Sequence, residues 1–343
     1  MRKLFCAAVM LLMGTLLNAQ EAEIFRLEAE VRVDYEQEYQ LGNKINDVSG
    51  FHGQYLNLRM DGKIAEGLTY SWKQRMNKAN TVSSFFNATD WVTVDYTVNK
   101  WSLSAGKQVV AIGGYEYDMA PIDCYFNSEY WNNIACYQFG VSAAYAVGNK
   151  GDKLMFQFCE SPFKRYDINV ENKETFAYNL MWFGSHGIFN ALYSLNMIEY
   201  MPGRYINYIV FGNKFTVNDF DLELDVMNRA VALDELFGKD MSVMADFSWQ
   251  AFEKLNIFAK ITYDFNRSKH IGDLCVTPGT DIVRVGGGIE YYPLKSTKNL
   301  RLHLNYCYTD GKVAASGVLR PQQSIIDAGV TWRMKLLNLK RNN

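Results

Sequence analysis

The dominant pattern along this chain is a period of two. Phe25, Leu27, Ala29, Val31, Val33 and Tyr35 alternate with Arg26, Glu28, Glu30, Arg32 and Asp34. Successive side chains of an extended strand leave opposite faces, so this spacing makes one apolar face and one charged face. A helix would mix them. The pattern recurs in Leu68, Tyr70 and Trp72 against Thr69, Ser71, Lys73 and Arg75. It recurs again in Val92, Val94, Tyr96 and Val98 against Thr93, Asp95 and Thr97, and in Phe220, Leu222, Leu224 and Val226 against Asp221, Glu223 and Asp225. Leu56, Leu58 and Met60 form another row, and Trp101, Leu103 and Ala105 another. Further segments lie near 135–147, 154–160, 176–184, 187–198, 204–217, 241–250, 255–266, 281–292, 300–308 and 324–336. The reading gives sixteen strands, at roughly 20 residues per strand and connection, which suits the ~10-residue strands of membrane barrels.

Connection lengths alternate. Tight turns are predicted at Asp61-Gly62, Asn99-Lys100, Ser185-His186 and Asn218-Asp219. Longer connections fall at 37–50, 77–88, 111–134, 161–175, 231–240, 267–280 and 309–323, with a short one near 199–203. Short periplasmic turns, long extracellular loops and an even strand number predict an all-β, closed antiparallel transmembrane barrel. Proline cannot donate to a β-ladder, and Pro121, Pro162, Pro202, Pro278, Pro293 and Pro321 all fall in predicted connections. Aromatics gather at strand ends, Trp101, Trp182, Trp249, Tyr291 and Trp332 toward the turns and Tyr70, Trp72, Tyr178, Phe265 and Tyr308 toward the loops. This is the two-girdle arrangement of a membrane barrel.

Residues 1–20 read as a secretory signal, with Arg2 and Lys3 ahead of an apolar run from Leu4 to Leu17. Residues 21–343 then form a single barrel domain in the outer membrane. Removing Arg2 and Lys3 leaves 33 basic groups against 37 acidic, so nothing in the charge points to nucleic acid. No later stretch is long and apolar enough for a membrane helix. A soluble sandwich also alternates, but export, the strand count and the charge density of the polar faces favour an apolar face toward lipid and a wet interior. Cys124, Cys136, Cys159, Cys275 and Cys307 show no CxxC spacing; Cys124 and Cys136 are either one bridge or two thiols.

On this parity the inward cations are Arg26, Arg32, Arg59, Lys73, Arg75, Arg229, Lys260, Arg284, Arg301, Arg333 and Lys335. The inward anions are Glu28, Glu30, Asp34, Asp95, Asp221, Glu223, Asp225, Asp246, Asp264, Glu290 and Asp327. The two sets balance, so the wall alone sets no ion preference. The longest loop, 111–134, is aromatic and has no Lys or Arg. It either folds into the lumen and narrows it or caps the mouth outside. Tyr115, Glu116, Tyr117, Asp118, Asp123 and Glu129 are its candidate constriction residues. If it folds inward, four carboxylates bias the neck toward cations or neutral solutes.

Several short motifs resemble the phosphate-selective porin O/P family of Gram-negative outer membranes. They are Gly106-Lys107-Gln108, Gly113-Gly114-Tyr115-Glu116-Tyr117-Asp118, Ser161-Pro162-Phe163, and Gly288-Ile289-Glu290-Tyr291-Tyr292-Pro293-Leu294-Lys295 followed by Leu300-Arg301-Leu302. The resemblance implies a sixteen-stranded porin, often a homotrimer, that passes small anions. A phosphate preference would need Arg and Lys at the constriction, and 111–134 holds only carboxylates. Lys107 is the nearest cation, and its parity points to lipid unless a bulge re-aims it.

No GxSxG, HExxH or P-loop pattern is present. His303 faces inward among polar strands and reads as a wall residue rather than a catalytic base. The chain therefore reads as no enzyme, with no cofactor or metal motif and no catalytic residue. The expected function is passive diffusion of small hydrophilic solutes or ions. The alternative is a barrel with a closed lumen and a role in surface recognition, adhesion or structure.

Overall fold

The computed structural model describes residues 23–78, 84–148, 151–166, 174–294, 297–313 and 319–340. The leader expected over 1–20 lies outside them. The strands run in order β1 (Glu23–Gln40), β2 (Gly50–Ala65), β3 (Leu68–Arg75), β4 (Thr89–Val98), β5 (Trp101–Val109) and β6 (Tyr137–Val147). They continue as β7 (Asp152–Glu160), β8 (Phe176–His186), β9 (Phe189–Met201), β10 (Arg204–Val217) and β11 (Phe220–Ala230). The last are β12 (Asp240–Phe252), β13 (Leu255–Asn266), β14 (Asp281–Tyr291), β15 (Leu300–Lys312) and β16 (Leu319–Lys340). A two-residue ribbon, Asn43–Lys44, pairs back onto the end of β1.

Each strand pairs antiparallel with its chain neighbours. The ring closes where β1 meets β16, from Glu23↔Lys340 to Gln40↔Gln323. Closure leaves no open edge, which lipid would not tolerate. No helix among the described residues is long and apolar enough to cross a membrane.

Burial is inverted relative to a soluble protein. Val33, Leu56, Leu103, Val141, Phe156, Leu195, Val285 and Leu304 are exposed on the outside. Asp34, Asn57, Gln157, Asn179, Asp264 and Asn305 are buried on the inside. One alternating row thus meets lipid and the other meets the interior, as the period-two pattern predicts.

Four local expectations are corrected. Asp61-Gly62 is not a turn: β2 runs on to Ala65 and the reversal falls after it. Asp61 instead accepts from Arg26 and Ser71, and the Tyr70 ring lies over Gly62 where a Cβ would stand. The same shift places Tyr70 at the short-turn end of β3, not the long-loop end. Ser185-His186 likewise belongs to β8. Pro321 lies inside β16, but at an irregularity where pairing steps from Gly311↔Arg320 to Thr309↔Gln323. A bulge needs no ladder donor there, so the missing N–H is harmless. None of the five cysteines described is in a disulfide, so Cys124 and Cys136 are two thiols rather than a bridge.

A loop pinned inside the barrel

The connection between β5 and β6 turns into the lumen. Its neck is closed by Val110 N–H donating to the Cys136 carbonyl at 2.8 Å. Within it lie two short helices, α1 (Tyr115–Asp118) and α2 (Glu129–Asn133), with a tight turn at Pro121–Asp123 between them. Its polar contacts then go round the wall in sequence.

Ala111 N–H donates to Gln157 of β7 at 2.7 Å, and Asn196 of β9 donates to the Ala111 carbonyl at 2.8 Å. Gly113 N–H donates to Ser194 Oγ at 2.8 Å. A Cβ on Gly113 would lie 2.6 Å from the Leu192 carbonyl oxygen, so the backbone approaches the wall only as glycine. Gly114 follows at φ +98°, a conformation that L side chains avoid. These two residues account for the Gly-Gly of the motif.

Beyond them the loop is held by its carboxylates. Glu116 N–H donates to Asp225 of β11 at 2.8 Å, and the Glu116 carboxylate pairs with Lys260 of β13 at 2.8 Å. Asp123 pairs with Arg301 of β15 at 2.9 Å and with Arg333 of β16 at 2.7 Å. Arg32 of β1 donates to the Cys124 carbonyl at 2.6 Å. Glu129 pairs with Arg284 of β14 at 2.6 Å, and its N–H donates to Asp264 at 2.8 Å. The Tyr125 ring stacks on Phe258 at 5.0 Å, lies beneath the Arg32 guanidinium at 4.8 Å, and donates its hydroxyl to Glu290 at 2.7 Å. Burial pushes the Asp123 carboxyl up, but Arg301 and Arg333 overcome it and hold it below its ordinary value. Burial raises the Cys124 thiol to about 12, so it stays protonated.

An apolar contact completes the anchor. Tyr117, Tyr130 and Ile134 pack with Ile198, Ile206, Tyr208, Val210 and Met227 of β9–β11 in one buried cluster. Sequence parity missed this patch, because it treats every inner face as wet. The signal was present: β10 is apolar on both faces, with Ile206, Tyr208 and Val210 alternating with Tyr205, Ile209 and Phe211. A strand apolar on both sides is covered on both sides.

The predicted residues therefore divide. Arg32, Asp225, Lys260, Asp264, Arg284, Glu290 and Arg301 face inward but are buried, and each touches the loop. They are anchors more than wetted surface. Glu30 and Lys73 pair with each other at 2.7 Å, and Arg75 pairs with Asp90 at 2.6 Å. Arg26, Arg59 and Asp95 border an open space of about 390 Å³ at the short-turn end of β1–β4, with Lys63 beside them. Glu28 lies 3.8 Å from Arg26, and Arg333 is about one-third exposed. Asp221, Glu223 and Asp246 border a second space of about 220 Å³ with Lys214, Tyr125 and Asn256. Tyr115 packs against the neighbouring Ala111 cluster, and Asp118 is exposed. Lys107 keeps its outward parity and donates to the Phe86 and Thr89 carbonyls.

The expected cation bias from four loop carboxylates loses its basis, since Glu116, Asp123 and Glu129 are all matched by wall cations. Asp118 remains as the loop's exposed carboxylate.

A closed outer-membrane barrel with an inward loop defines a porin. The profile of the family described as phosphate-selective porin O and P matches residues 25–237, and the chain belongs to that family. The anion-selective porin from Comamonas acidovorans shares the fold at TM-score 0.62 and 12% identity, covering 92% of this chain and 100% of that one. The outer membrane channel DcaP of Acinetobacter baumannii does so at TM-score 0.64 and 11% identity, covering 90% and 97%. OmpT of Vibrio cholerae, solved in a trimer form, does so at TM-score 0.59 and 12% identity, covering 91% and 100%. No curated protein sequence matches the chain at a significant level. Family and fold together make this an outer-membrane channel for passive diffusion.

Proposed function

We propose that small hydrophilic solutes pass between the pinned loop and the wall of β2–β6, with a weak preference for anions. The observation that carries this reading is the sharing of carboxylates. Arg26 and Arg59 share Asp61, each at 2.8 Å. Arg301 and Arg333 share Asp123. Glu28, Glu290 and Glu30 lie 3.8, 3.1 and 3.6 Å from Arg26, Arg301 and Arg333 and offset much of the remaining charge. Arg26, Arg59 and Arg333 are nonetheless more water-exposed than these carboxylates and so face the solute path more fully. Across the lumen Asp221 and Glu223 share Lys214, and Asp246 lies beside them, which opposes the basic strip and keeps the preference weak.

The same reading has the 1–20 leader removed on export, the chain assembled as a homotrimer, and no enzymatic role. Phosphate selectivity is not part of it, because no cation projects from the loop. Reversal potentials across a salt gradient test the proposal. A modest anion preference that falls in the Arg26→Gln, Arg59→Gln double variant is expected. Cation preference in the wild-type channel contradicts it.

A further inference from the structure

Behind the inner loop the wall carries a cluster that diffusion does not use. Asp34 of β1, His303 of β15 and Asp327 of β16 each bring one ligand atom within 4.8 Å of the others. All three residues are buried. His303 Nε2 lies 3.3 Å from Asp34 Oδ1 and 3.5 Å from Asp327 Oδ1. Yet none of these three atoms has a hydrogen-bond partner. Buried polar atoms are normally satisfied, and three that face one another call for a shared partner.

The other carboxylate oxygens are held from outside. Arg32 Nε donates to Asp34 Oδ2 at 2.7 Å, and Arg32 Nη2 and Asn305 Nδ2 each donate to Asp327 Oδ2 at 3.1 Å. Each carboxylate thus keeps one oxygen free on the imidazole side. Metal sites divide ligand atoms from supporting hydrogen bonds in this way. Gly329 keeps the space open: a Cβ there would lie 2.8 Å from His303 Cε1 and would strike Asp34 Oδ1.

Spacing and charge agree. Bonds of ~2.1 Å at tetrahedral angles put ligand atoms ~3.4 Å apart. The two imidazole–carboxylate spacings are 3.3 and 3.5 Å, and the two carboxylate oxygens lie within 4.8 Å of each other. Asp34 and Asp327 carry two negative charges against one on Arg32. Half-buried Glu36, in register with Asp327 and held by Gln54, adds another at the cluster's edge, so with His303 neutral the pocket is net negative and suits a cation.

We propose that Asp34, His303 and Asp327 bind one divalent transition metal of the zinc class. The imidazole nitrogen selects against magnesium and calcium, which prefer oxygen alone. Three protein ligands leave the fourth position to water. The ion lies under the inner turn of the loop, where the Tyr125 and His303 rings are 4.6 Å apart and Arg32 holds the Ile122 and Cys124 carbonyls. The cluster is closed to solvent, so it loads as the barrel closes.

The test refolds the full chain into detergent with and without zinc sulfate, removes free ion, and measures metal by mass spectrometry. Heat-modifiable gel mobility reads folding separately. One zinc per folded chain is expected, with loss of that zinc in folded His303→Ala and in Gly329→Ala, which keeps every ligand but fills the space. Cobalt loaded in place of zinc is expected to give the visible absorption of a tetrahedral site, which needs no variant. Folded wild-type protein without stoichiometric zinc, or folded His303→Ala with zinc retained, overturns the proposal.

Discussion

Arg284 and Glu129 stand 155 positions apart in the chain and 2.6 Å apart in space, with both side chains almost fully excluded from water. One belongs to the barrel wall and the other to the loop that crosses it. Their pairing, repeated at Lys260–Glu116 and Arg301–Asp123, turns a long connection into a fixed partition of the lumen.

Breaking one such pair leaves a buried charge unmatched, which typically costs ~3–5 kcal/mol. Glu129→Gln and Arg284→Ala are therefore expected to free the loop while the barrel stays closed. The loop lacks Lys and Arg but holds four Tyr together with Phe126 and Trp131, so chymotrypsin is the suitable probe. Faster cleavage within 115–131, with unchanged heat-modifiable mobility, is the expected result. Equal cleavage rates in variant and wild type would show that the pair does not hold the loop.

Tyr130 is fully buried against Tyr208 and beneath the Arg229 guanidinium, 5.4 Å from its ring. Truncating a large buried aromatic costs ~3–5 kcal/mol. Tyr130→Ala is expected to loosen the loop as much as loss of an ion pair does, seen as increased open-channel noise. A quiet channel would place the anchoring energy in the ion pairs alone.

The pH dependence has a defined sign. Asp123 is held below its ordinary value by Arg301 and Arg333, which outweigh burial. A carboxylate lowered on folding gives stability that is complete above its unfolded value of about 3.9 and drains away as pH falls through the folded value. The share of conductance that depends on Asp123, read as the difference between wild type and Asp123→Asn, is expected to stay flat from neutral pH down to about 4 and to change only below that. A change between pH 7 and 5 would assign the loop's anchoring to other groups.

Gly62 lies in β2 under the Tyr70 ring rather than in a turn. Gly62→Val crowds that ring, and overpacking typically costs ~1–3 kcal/mol. A lower yield of heat-modifiable barrel is expected, with no change in loop cleavage. Unimpaired folding would restore the turn reading of Asp61-Gly62.

The alternation at 25–35 and 220–226 was enough to give strand number, facing and closure, because a one-residue slip would turn charge toward lipid. Turn positions were less legible. Asp61-Gly62 carries a strong local hairpin signal, but Arg26, Ser71 and Tyr70 use both residues from across the sheet. The site was half legible: alternation puts Lys260, Arg284 and Arg301 on inner faces, but it says nothing of what covers a side chain, and all three are buried against the loop. That depends on contacts between residues far apart in sequence, such as Glu116 with Lys260 and Tyr117 with Met227.

The most direct test is single-channel conductance of the purified protein in planar bilayers, with and without residues 115–131. The pinned-loop account predicts stable open steps for the wild type and larger steps once those residues are deleted. A wild-type barrel that never conducts, or a deletion that leaves step size unchanged, contradicts it.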